Sequence, residues 1–117
     1  MTTLFSPHKF IYEVNLTIQR DIFETHRTWL IDHFHQMVKQ NNFIQLNLCF
    51  LKNTNPIDDH HLRYQSIVAQ YLISDYPILE EYFEKQAKVM RSQVVDKLGC
   101  HYTVRRRVLE VVESFRG

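Results

Sequence analysis

Residues 62–74 read Leu62-Arg-Tyr-Gln-Ser-Ile-Val-Ala-Gln-Tyr-Leu-Ile-Ser74, and this stretch decides the fold. Taken as a strand, one alternate set is Tyr64, Ser66, Val68, Gln70 and Leu72; the other is Gln65, Ile67, Ala69, Tyr71 and Ile73. Neither set is polar enough to face water along its whole length. A strand apolar on both faces belongs at the centre of a sheet, covered on both sides. Helices must therefore cover one face, and a second layer the other.

Working outward, the elements on either side follow from hydrophobic period. Lys9 to Ile18 alternates, with Phe10, Tyr12, Val14, Leu16 and Ile18 on one side and Glu13, Asn15 and Thr17 on the other. From Gln19 to Asn41 the period changes. Ile22, Phe23, Leu30, Phe34, Met37 and Val38 recur at helical spacing, with Asp21 near the start and Lys39 near the end as the helix dipole favours. Asn41-Asn42 is the expected stop. Phe43 to Lys52 returns to period two, and Asn53 to His61 carries turn chemistry. After the opening stretch, Ser74 or Asp75 caps a second helix with Pro77 in its first turn. Leu79, Tyr82, Phe83, Gln86, Met90 and Val94 form its expected buried side, and Gly99 ends it. His101 to Val112 is the last strand.

The order strand, helix, strand, strand, helix, strand is the split βαβ, or ferredoxin-like, arrangement. It predicts an α+β fold: a four-stranded antiparallel sheet with two helices on one face. Right-handed crossovers put the first and third strands side by side at its centre. One domain spans residues 1–117, with a loose arm at 1–8 and a frayed tail at 113–117.

Composition agrees with a globular chain: 44% hydrophobic and 23% charged residues, with only 2 glycines and 3 prolines, leave no low-complexity tract. A net charge of +1 argues against a nucleic-acid or anionic-membrane partner. No signal peptide or membrane span is apparent, so a cytoplasmic location is expected. Cys49 and Cys100 have no metal-type spacing and read as free thiols.

The bare sheet face of this fold would carry a mixed patch. Tyr64, Val68 and Leu72 (or Ile67, Tyr71 and Ile73) join Leu51 and Val108, amid Glu13, Asn15, Gln45, Asn47, Arg106 and Glu110. It predicts a homodimer packed sheet against sheet, of the dimeric α/β-barrel type.

The pattern of Trp29, His33-Phe34, Phe43 opening a strand, Gln70-Tyr71 closing the central one, Tyr82 and Arg91 on the second helix, and Arg106 before Val-Leu-Glu-Val-Val resembles the family known as domain of unknown function 4286. The likeness runs from about Tyr12 to Val112 and implies a small ferredoxin-like protein. The family tends to have glycine before the aromatic where this chain has Asn41-Asn42. No settled activity comes with the resemblance.

Several sets of residues could carry chemistry. Seven histidines invite a metal reading, but there is no HExxH motif, and His26 and His33 stand about 10 Å apart along a helix, too far to share one ion. Asp58-Asp59-His60-His61 is the only dense donor cluster and reads as a solvated turn, so neither metal nor cofactor is expected. Trp29 and His33, one helical turn apart, could line one space with Tyr71, Tyr82 and Arg106. His33 is the candidate base; the other four are candidate ligand-binding residues. The plain structural reading makes the aromatics core residues. The third strand lacks the glycine and phenylalanine of an RNA-recognition motif, and Thr17 to Asp21 lacks the paired cysteines of a metal chaperone. The function expected is small-molecule binding between sheet and helices by a homodimer. A cofactor-independent oxygenase or isomerase, or an interaction module without catalysis, are the alternatives.

Overall fold

A computed structural model describes residues 9–52 and 62–117. Four strands, β1 (Phe10–Gln19), β2 (Gln45–Phe50), β3 (Tyr64–Ile73) and β4 (Tyr102–Glu110), form one antiparallel sheet in the order β2-β3-β1-β4. The expected ferredoxin-like topology is thus the observed one, with β3 beside β1 at the centre. The segment 53–61 and the arm at 1–8, including Asp58 to His61, lie outside the described residues.

Burial along β3 separates its two sets. Gln65, Ile67, Ala69, Tyr71 and Ile73 are buried under the helices, while Tyr64, Ser66, Val68, Gln70 and Leu72 are half-buried on the open face. Full burial of a side chain such as Ile73 stabilises the fold by about 2–3 kcal/mol. Pairing in register then assigns the neighbours. Tyr12 sits opposite Tyr71 and Val108, so it shares the helix-covered side with both. Glu13 sits opposite Gln70 and Arg107 on the open side.

This register corrects the expected patch. Arg106, Val108 and Glu110 belong to the helix-covered face, because Arg106 is opposite Val14 and Glu110 opposite Phe10. The open face takes Arg105, Arg107 and Leu109 in their place.

Helix α1 (Arg20–Gln40) covers the sheet with Phe23, Leu30, His33, Phe34 and Met37 inward. It bends at His26, whose φ −112° and ψ 16° are not helical. Beside the bend, the Thr25 hydroxyl donates to the Asp21 carbonyl at 3.0 Å, a side-chain bond that competes with the helical ladder. The helix ends at Asn41, whose Nδ2 donates to the Met37 carbonyl at 2.8 Å. Asn42 then takes φ +57°, the left-handed conformation that glycine adopts at least cost.

The second crossover differs from expectation. It is two helices, α2 (Tyr76–Lys85) and α3 (Ala87–Leu98), separated at Gln86. The buried residues explain the break: Leu79 and Tyr82 are followed by Ala87, Met90 and Leu98. The step from Tyr82 to Ala87 is five residues, one more than a straight helix keeps on one side. Gln86, at φ −118° and ψ −26°, absorbs the extra residue. The backbone bonds Gln86 N–H to Tyr82 O and Met90 N–H to Gln86 O bridge the break, both at 2.9 Å. Asp75 is the residue before α2, but its carboxylate accepts from the Ser74 hydroxyl at 3.3 Å and does not cap the helix. Gly99 ends α3 at φ +68°.

Candidate functional site

The helix-covered face is built around tyrosines. Tyr12 on β1 stacks against Tyr71 on β3 at 6.0 Å between ring centroids, with planes 26° apart. Tyr82 of α2 meets Tyr12 at 5.7 Å, and Phe43 meets both Tyr71 (5.4 Å) and Tyr82 (5.6 Å). Such clusters add modestly to the stability their buried area brings. They also gather several hydroxyl groups in one apolar place.

Next to the tyrosines is a cavity of about 50 Å³. Tyr12, Tyr71, Tyr82, His33, Arg91 and Arg106 line it, with apolar walls that include Val14, Leu30, Phe34 and Met37. His33, Tyr71, Tyr82 and Arg106 thus come together from four elements: α1, β3, α2 and β4. The volume falls well below the roughly 300 Å³ at which ligand pockets usually begin. It is room for a few water-sized groups.

Trp29 does not line the cavity. It stacks on His33 from behind, at 5.2 Å with planes 19° apart, and Lys97 of α3 lies 6.0 Å from its ring centroid. Phe34 meets the His33 ring edge-on at 6.4 Å. Among the described residues no hydrogen bond orients the His33 ring; stacking holds it. Burial away from water keeps its pKa below the ordinary 6.5, so the imidazole is neutral near pH 7 and able to accept a proton.

Burial and the neighbouring phenols push Tyr71 well above the usual tyrosine value. Tyr82 is raised by burial first and by Tyr12, while the positive charges of Arg91 and Arg106 act on it in the opposite sense. Both tyrosines therefore stay protonated and can donate hydrogen bonds. Arg91 Nη2 donates to the Tyr12 hydroxyl at 3.4 Å. Arg106 forms no ion pair with Glu110 or with any other described residue.

Two lining residues, Tyr12 and Arg91, were not in the expected site. Tyr12 was legible as one of the apolar stripe of β1, but its pairing with Tyr71 depends on register. Arg91 follows the buried Met90 directly and so flanks the buried side of α3. No three metal-ligating side chains converge among the described residues. Cys49 and Cys100 are free and exposed. No helix among the described residues is long and apolar enough to cross a membrane.

On the open face, Glu13 is the central polar residue, 4% exposed. Arg107 Nε donates to it at 2.6 Å, Gln70 Nε2 at 2.9 Å and Asn15 Nδ2 at 3.1 Å. Those bonds, led by Arg107, hold its carboxyl below the ordinary 4.5. The shielding is shallow, because it comes from sheet side chains and not from a packed layer.

A four-stranded antiparallel sheet in this order, with helices on one face and a polar notch beneath them, defines a ferredoxin-like α+β protein. Solved structures agree on the fold. A dimeric ferredoxin-like protein from an uncultured marine organism is similar at TM-score 0.63 and 12% identity, over 92% of this chain and 98% of that one. A variant of SnoaB, a cofactor-independent oxygenase from Streptomyces nogalater, is similar at 0.62 and 10%, over 92% and 98%. A de novo designed protein, Foldit4, is similar at 0.60 and 16%, over 87% and 97%. Among curated proteins, none matches the sequence. Over residues 9–112 the sequence matches the family described as Domain of unknown function (DUF4286), and the chain belongs to it.

Proposed function

We propose that the protein is a homodimer that binds a small molecule between its helices and its sheet. The observation that carries this reading is the convergence of His33, Tyr71, Tyr82 and Arg106 on one cavity from four elements. A core built only for packing has little use for a histidine, several phenols and two guanidinium groups around one space. The dimer is supported by the half-buried apolar residues Ile11, Val68, Leu72 and Leu109 of the open face, and by a structural relative that is a dimeric ferredoxin-like protein. Pairing this face with its copy would cover those residues and would not strand the Glu13 carboxylate, which already has its partners.

Val104 of β4 also lines the cavity, and Val104→Trp places a large ring at the pocket wall. A small-molecule screen by thermal shift should find compounds that raise the wild-type Tm and leave this variant unmoved. If every stabilising compound acts on both proteins alike, the pocket is not the binding site.

A second reading is a cofactor-independent enzyme with His33 as base. One observation favours it: His33 lines the cavity with a depressed pKa. Trp29 would then fix the plane of the ring. Any compound that passes the screen can be followed for turnover, which His33→Ala should abolish; undiminished turnover would remove His33 from the mechanism.

A further inference from the structure

Resting on the small-molecule reading above, we infer that the pocket takes a short-chain carboxylate, inserted tail first, with its anionic head between Arg91 and Arg106. The lining contains these two guanidinium groups and no carboxylate. Among the described residues neither arginine forms an ion pair, and the one hydrogen bond of Arg91 goes to the Tyr12 hydroxyl. Both are exposed, one on α3 and one on β4, while Leu30, Phe34, Met37 and Met90 behind them are buried. The positive charge therefore stands at the exposed end of the lining, and the buried end carries this apolar wall together with His33 and the phenols of Tyr12, Tyr71 and Tyr82.

That polarity selects a ligand with a charged end and an apolar end. Both arginines act on the Tyr82 hydroxyl from their separate elements, so the field converges near this phenol. A neutral His33 adds no third charge. A single carboxylate matches two forked donors plus a phenol, because guanidinium groups bind carboxylate oxygens in pairs. The cavity of about 50 Å³ sets the length of the tail. That is room for only a few water-sized groups, so a short tail of about three carbons is the one to test. Inorganic phosphate would satisfy the arginines and leave the apolar wall wet.

Met37 and Met90 both line the cavity, so protein labelled with ¹³C at the methionine methyls carries two reporters inside it. Sodium butanoate should shift both signals saturably. Butanamide, of the same shape without the charge, should bind about ten-fold or more weakly, as should butanoate to Arg106→Gln. Arg106→Lys should recover part of the loss. Arg106 is exposed on an edge strand, so the variant should stay folded, and its own free methyl spectrum is the reference for its titration. Equal shifts from butanoate and butanamide, unchanged in Arg106→Gln, would overturn the carboxylate and leave a neutral-ligand pocket standing. Methyl signals that stay still for butanoate while a compound from the thermal-shift screen moves them would also overturn it, again without touching the pocket. If every compound and butanoate leave both methyls still, the pocket and this inference fail together.

Discussion

The two faces of this sheet are made from alternate residues of the same strands, and they solve different problems. On the helix-covered face Tyr12, Ile18, Ile67, Tyr71 and Ile73 are at most 1% exposed, and the polar groups among them collect at one notch. On the open face the alternate residues of the same two strands are mostly half-buried, and the central charge is satisfied by side chains within the sheet. One face is closed by its own chain and keeps a small opening. The other is finished electrostatically and left apolar enough to be covered. Burial in strands is thus a property of each face, and two adjacent residues such as Tyr12 and Glu13 can serve opposite ends.

Variants can break that comparison. The largest effect is expected on the closed face, where Ile73→Ala should lower unfolding stability by about 2–5 kcal/mol in urea titrations. A loss under 1 kcal/mol would mean that this face is not a packed core. On the open face, Val68→Arg should reduce the mass seen by light scattering at micromolar concentration from two chains to one. A wild-type mass of one chain would remove the dimer altogether. Glu13→Gln should cost about 1–2 kcal/mol at pH 7 by replacing charge-assisted bonds with neutral ones, discounted because Arg107 is well exposed. Because the folded pKa of Glu13 is depressed, its contribution is full above the ordinary 4.5 and is lost as pH falls through the lower folded value. The glutamine variant should therefore lose less stability on acidification than wild type does. The smallest effect belongs to His33. Its folded pKa lies below 6.5, so the unfolded chain binds the proton more readily and stability falls as pH drops below about 6.5. His33→Phe should flatten that slope; a slope unchanged in the variant would place the acid sensitivity elsewhere.

Much of this was legible before the fold was known. The two-faced stretch at Leu62 to Ser74 identified the central strand, because only a strand between two layers tolerates apolar residues on both sides. Strand faces inside β1 were equally plain from Phe10 to Ile18. The face of β4 was not. Arg105-Arg106-Arg107 offers no apolar alternation, so only its pairing with Val14 assigns Arg106 to the pocket side. The break at Gln86 was hidden for another reason: Glu84, Lys85, Gln86, Ala87 and Lys88 all favour helix, and no glycine or proline marks the spot. Its one trace is the five-residue step from Tyr82 to Ala87. Within the candidate site, His33 and Tyr82 followed from helical spacing. Trp29 did not, because a side chain one turn away can stack behind its neighbour as readily as beside it.

Glu13 has a consequence for how the sheet assembles. Its partners come from β3, from β4 and from its own strand, so its three bonds can be made together in one alignment only. Sliding β1 by a single residue would turn every side chain over. Glu13 would then leave Gln70 and Arg107 and turn its carboxylate toward the buried tyrosine cluster, so the three bonds it makes on the open face would be lost together. One acid in the central strand thus ties the native bonds of three positions to a single register of the sheet.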